Sequence, residues 1–178
     1  MNPLFRIWFF CGIFIAVALI SIAIPLLPLG FSPDRWAMPD LFFALTVAWV
    51  LRMPNSAPLI LVAALALLAD AVLMRPVGLW ALLIVVASEL ARMNERLIRE
   101  AGILVETAFF VAILIVMVLI QNALLFLTFS GVYPLKSLLQ FVMLSMICYP
   151  FITGFLHYIL RVRGRNIRNL PDRLGKVG

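Results

Sequence analysis

ILVETAFFVAILIVMVLIQNALLFLTF, residues 103–129, contains a single charged side chain, Glu106. About 20 apolar residues in a helix cross the hydrocarbon core of a bilayer, so this stretch predicts a transmembrane helix with length to spare. It ends at Ser130-Gly131, with Pro134 beyond, which stops the helix before a second apolar run over residues 135–160. On the other side of the chain, residues 7–27 form a comparable run, entered at Arg6 and closed by Pro28. Small residues at Ser21-Ile22-Ala23 resemble a leader cleavage site, but the run is long for a leader and the rest of the chain is also membrane-like. An uncleaved first helix is therefore expected.

Three shorter apolar segments lie between, over residues 36–52, 57–73 and 78–92. Pro39, Pro58 and Pro76 stand near their starts, where a missing backbone N–H costs little. Segments this short must extend into the interface, thin the bilayer or be partly re-entrant. The expected fold class is an all-α bundle of six transmembrane helices over residues 1–160, followed by a basic tail at 161–178.

Composition supports this class. The chain of 178 residues is 65% hydrophobic and 12% charged, too little polar material to cover a water-facing surface, since soluble domains are about a quarter charged. The formal net charge of +6 does not point to nucleic acid, because the cations gather at span ends and in the tail. With six spans and a cytoplasmic N-terminus, Arg6, Arg52, Arg92, Arg96, Arg99, Arg161, Arg163, Arg165, Arg168, Arg173 and Lys176 lie inside. Only Arg35, Arg75 and Lys136 lie outside. That bias follows the positive-inside rule and places both termini in the cytoplasm.

Residues 92–100 predict a fourth helix that runs past the membrane surface to a break at Gly102, with Glu95–Arg99, Arg96–Glu100 and Glu89–Arg92 as pairs on its face. Within the spans, ionisable residues are costly and mark a protein interior, a cavity or a partner. Asp40 opens the second span and Asp70 lies near the end of the third, both expected in the outer half of the bilayer near Arg35 and Arg75. They predict either an ion-pair network pinning helices 2 and 3 to the next loop, or a polar patch that receives a ligand or helix. Gln121, Asn122 and Gln140 are expected to make interhelical hydrogen bonds. Cys11 and Cys148 read as buried small residues, and His157 has no metal companion nearby. No phosphate loop, metal-spaced cluster or paired nucleophile and base is present in the sequence, so no enzyme, cofactor or metal is expected.

Three segments carry a resemblance to a known family. Met38-Pro39-Asp40-Leu41 is followed by an apolar run reaching Trp49; Leu67-Leu68-Ala69-Asp70 ends the third span; Gly78-Leu79-Trp80-Ala81-Leu82 opens the fourth. Together they resemble MreD, the rod shape-determining membrane protein of bacteria, over residues 36–90; elsewhere the likeness is in length, hydropathy and basic tail. Two positions depart from the pattern: Ala66 and Met74 stand where the family often has glycine.

The resemblance implies a non-enzymatic subunit of the elongasome in the bacterial inner membrane. Its partners would be an MreC-type bitopic protein and, indirectly, MreB, RodA and a class B penicillin-binding transpeptidase. It implies a fold similar to the substrate-binding components of energy-coupling-factor transporters. A partner-binding or structural polar patch is expected from Asp40, Asp70, Arg75, Trp49 and Gly78. Two alternatives remain: a small-molecule or lipid-binding transporter subunit with a pocket among Trp36, Asp40, Asp70, Arg75 and Trp80, and an intramembrane lipid-modifying enzyme using Asp70 or His157.

Overall fold

A computed structural model describes residues 3–27, 38–128 and 133–159. Arg35, Trp36 and the tail at 161–178 lie outside the described residues. Seven α-helices follow in order: α1 (Pro3–Ala23), α2 (Leu41–Arg52), α3 (Leu59–Val72), α4 (Leu79–Met93), α5 (Glu95–Ala101), α6 (Ile103–Leu127) and α7 (Leu135–Ile159). Short 3-10 turns close α1 (Ile24–Leu26) and join α2 to α3 (Pro54–Ser56), and no strand occurs among the described residues.

Among the described residues, three segments are long and apolar enough to cross a membrane: Ile7–Leu26, Ile103–Leu127 and Leu135–His157. They mark a membrane protein. The other helices are shorter than six full crossings would need. α2, α3 and α4 have 12, 14 and 15 residues, roughly 18–22 Å at the rise of an α-helix, against a hydrocarbon core of about 30 Å.

For α2 the short length has a packing reason. Every residue from Phe42 to Leu51 is buried, because α2 is enclosed by α1, α4, α5 and α7. A helix surrounded by protein need not match the bilayer. Its side chains build an aromatic spine instead: Phe43 stacks on Phe110 of α6, which stacks on Tyr149 of α7 at 4.1 Å between centroids. Phe14 of α1 meets Trp49 near the other end of α2. Offset ring pairs of this kind add directional stability to apolar burial.

The fourth helix does not run on to Gly102. It stops at Met93, and α5 starts afresh at Glu95. At the break the Asn94 side-chain Nδ2 donates to the Leu90 carbonyl (2.9 Å), which the Asn94 backbone N–H also reaches (3.3 Å). Ile98 of α5 is buried, and α5 packs against α2 and α6. Glu89 pairs with Arg92 at 3.2 Å as expected, whereas Glu95–Arg99 and Arg96–Glu100 form no ion pair among the described residues.

Candidate functional site

Asp40 sits where the chain, fixed by Pro39, turns into α2. Its Oδ1 accepts from the Phe43 backbone N–H (2.9 Å), an N-cap for α2. Its Oδ2 accepts from Arg75 Nη1 (3.0 Å) and from the Trp80 indole Nε1–H (2.6 Å). The Asp40 backbone N–H donates to Ser145 Oγ of α7 at 3.4 Å. The Arg75 guanidinium also lies over the Trp80 ring, 5.7 Å from its centroid, a cation–π geometry. One carboxylate thus fastens the start of α2 to the α3–α4 loop and to the first turn of α4.

Asp70, fully buried, caps a helix it does not belong to. Its Oδ2 accepts from the backbone N–H groups of Gly78 and Ala81, both at 3.0 Å, satisfying donors that the start of α4 would leave unmet. The Asp70 backbone carbonyl accepts from Arg75 N (3.1 Å), which folds the loop back on α3. Gly78 has φ +92°, and the space where a Cβ would stand is open. The glycine is therefore required by backbone conformation, not by crowding. Met74 has φ +51°, a left-handed conformation that methionine occupies at a cost of about 1 kcal/mol.

Of the five residues expected to form a patch, Asp40 meets Arg75, and Asp70 meets Gly78, with α4 joining the two pairs. The ion-pair network is half of what was expected: Asp40 pairs with Arg75, but the Asp70 side chain turns to backbone donors. Trp49 is not part of the cluster. It lies nine residues further along α2, roughly 13 Å, and its Nε1–H donates to Ser56 Oγ (2.9 Å) in the α2–α3 turn.

That opposite end holds a second cluster, missed as a unit in the sequence. Arg52 of α2 grips Glu106 of α6 through Nη1 (2.7 Å) and Nη2 (3.3 Å), and the Tyr149 hydroxyl of α7 donates to Glu106 Oε1 (2.8 Å). Arg92 braces the α2–α3 turn by donating to the carbonyls of Pro54 (3.1 Å) and Ala57 (2.8 Å). The available signal was Glu106 itself, the one acid in a long apolar run. Asn122 Oδ1 accepts from Tyr133 N (3.1 Å), tying α6 to the segment before α7, while Gln121 and Gln140 make no interhelical hydrogen bond among the described residues.

Depth follows from Ser145. It lies ten residues after the first residue of α7, roughly 15 Å along a helix of 25 residues, so Asp40 stands beside the middle of α7. A cleft of about 30 Å³ opens next to Asp40, Arg75 and Trp80, walled by Ser21, Ile22 and Leu73. It has room for one or two water molecules. Among the described residues no group of His, Cys, Asp or Glu could hold a metal ion.

The fold and this cluster define an all-helical membrane protein whose buried polar groups join helices to one another. No family model, curated protein or solved structure matches the chain.

Proposed function

We propose that the chain is a non-enzymatic scaffold subunit of the MreD type, with six membrane helices (α1–α4, α6 and α7) and both termini in the cytoplasm of a bacterial cell. It would bind an MreC-type bitopic protein in the inner membrane and, through it, support a wall-building assembly containing MreB, RodA and a class B transpeptidase. One observation carries this reading. The three separated segments that resemble the family, around Asp40, Asp70 and Gly78–Trp80, converge on one buried cluster. Both Asp40 oxygens and Asp70 Oδ2 are engaged in capping and pairing, and Asp70 Oδ1 is buried without a hydrogen-bond partner among the described residues; the engaged groups suit a shape-holding role.

A cleft of about 30 Å³ is far below the roughly 300 Å³ at which small-molecule pockets begin, so the transporter-subunit reading gains no support from it. The connections from α2 through α6 are short, so a partner there would be met chiefly through helix faces, where small residues allow close approach. The test is affinity purification of the tagged protein in mild detergent. Recovery of an MreC-like bitopic protein, lost in Asp70→Ala but kept in Asp70→Asn at equal membrane yield, is expected. Recovery of an ATPase-coupled transporter module instead would overturn the proposal.

A further inference from the structure

Four helix ends meet at one level of the bundle. Arg52, the last residue of α2, bonds Glu106 in the first turn of α6 (2.7 Å), and Arg92 at the end of α4 bonds the carbonyls of Pro54 and Ala57 around the α2–α3 turn. The short helix α5 runs at this level, from the end of α4 at Met93 to the start of α6 at Ile103, packed against α2 and α6. It continues neither neighbour. Asn94 separates it from α4, and Gly102, at φ +93°, makes the turn into α6.

Two long helices place that level at the edge of the bilayer. The apolar span of α6 starts at Ile103, directly after α5. The span of α1 starts at Ile7, and Cys11, one turn further on, donates its Sγ–H to the Ser56 carbonyl in the α2–α3 turn (3.0 Å). A helix held there is interfacial, and its side chains divide as an interface requires. Ile98 is buried in the bundle, while Leu97 is 72% exposed, with Met93 (80%) and Leu104 (82%) exposed at either end of the helix. Arg96 and Arg99 are exposed too, and neither side chain forms an ion pair or hydrogen bond among the described residues. Of the acids nearby, Glu89 is taken by Arg92, Glu95 is half-buried, and Glu100 is exposed.

The same side gathers further positive charge. Tyr149, in the second half of α7, bonds Glu106, so α7 ends on the side where α6 begins. Beyond it the sequence carries Arg161, Arg163, Arg165, Arg168, Arg173 and Lys176 against one acid, Asp172. Cations alone would suit any anion. Cations beside exposed leucine and methionine suit a headgroup phosphate with acyl chains beneath it.

We propose that α5 is an interfacial anchor that gathers anionic phospholipid. Met93, Leu97 and Leu104 enter the acyl boundary, and Arg96 and Arg99 bind headgroup phosphates. This goes beyond the scaffold reading and does not depend on it, since it needs only that α1 and α6 cross the bilayer.

The test uses the full chain carrying Cys11→Ser and Cys148→Ala, labelled with bimane at Leu97→Cys or, as a control within the α6 span, at the exposed Val116→Cys. Each is reconstituted in vesicles of phosphatidylcholine and phosphatidylglycerol in which the same fraction of one lipid or the other carries bromine on its acyl chains. At Leu97→Cys the brominated phosphatidylglycerol is expected to quench as if enriched about fivefold over brominated phosphatidylcholine. Arg96→Gln with Arg99→Gln should bring that ratio to about one, and raised salt should lower it. Val116→Cys should be quenched by both lipids alike. No quenching at Leu97→Cys by either lipid would put α5 in water and overturn the proposal. Equal quenching by the two lipids would also overturn it. So would a preference kept in the double glutamine variant, which would belong to the tail, or one abolished by inorganic phosphate at constant ionic strength, which would mark a site for the free anion. Absence of quenching at Val116→Cys would refute the crossing of α6 and the proposal with it.

Discussion

The two ends of α2 solve one problem in different ways. Each buries a carboxylate against an arginine and an aromatic donor: Asp40 with Arg75 and Trp80 at the start, Glu106 with Arg52 and Tyr149 at the finish. At the start, the carboxylate also caps its own helix, and its neighbour Asp70 caps α4, so the cluster organises the short helices among themselves. At the finish, the pair reaches from α2 to α6 and α7 and fastens the short helices to the long ones. Burying an ion pair has a desolvation cost that its Coulomb attraction only partly offsets. Both ends carry that cost, but at the start Asp40 and Asp70 also accept from backbone N–H groups, bonds that a neutral acceptor could make too.

This difference can be broken in steps. Glu106→Ala leaves the part-buried Arg52 with only the Ala48 carbonyl to bond and should cost about 3 kcal/mol, read as an early thermal unfolding transition in detergent. Replacing both residues with methionine should restore most of the loss, and an equally unstable double variant would refute the pair's role as a fastening. Asp70→Ala should cost about 2–3 kcal/mol by leaving two buried N–H groups unmet. Asp70→Asn should recover most of it, with hydrogen exchange at the first turn of α4 as the local readout. Gly78→Ala forces a side chain into φ +92° and should cost about 1–2 kcal/mol. The smallest effect has the opposite sign: Met74→Gly relieves a left-handed methionine and should stabilise by about 0.5–1 kcal/mol. No gain there would mean that the loop relaxes when freed.

Hydropathy and its boundaries of proline, glycine or charge are enough to locate every helix but α5, which the sequence reads as a continuation of the fourth. The meeting of Asp40 with Arg75, and of Asp70 with Gly78, was legible because helices joined by tight turns bring their adjoining ends together. Other features were set by tertiary packing. Trp49 and Asp40 share one apolar segment but lie at opposite ends of one helix, a separation that the helical rise alone gives. Glu106 and Tyr149 are 43 residues apart, and nothing local links them. The break at Asn94 falls inside a stretch whose charge pairs read as one continuous helix face, so nothing in the pairing pattern marks it. The offset between short and long helices, which sets the depth of the cluster, is a matter of register between neighbours.

The cap that Asp70 provides spans only eight residues to Gly78 and eleven to Ala81. During synthesis this contact can close while most of α6 and all of α7 are still to be made. A nascent hairpin so closed hides its acid and the leading amides of α4 before it meets lipid. Asp70 would then act first as an aid to insertion, allowing two helices too short to be threaded singly to enter the bilayer as one folded piece.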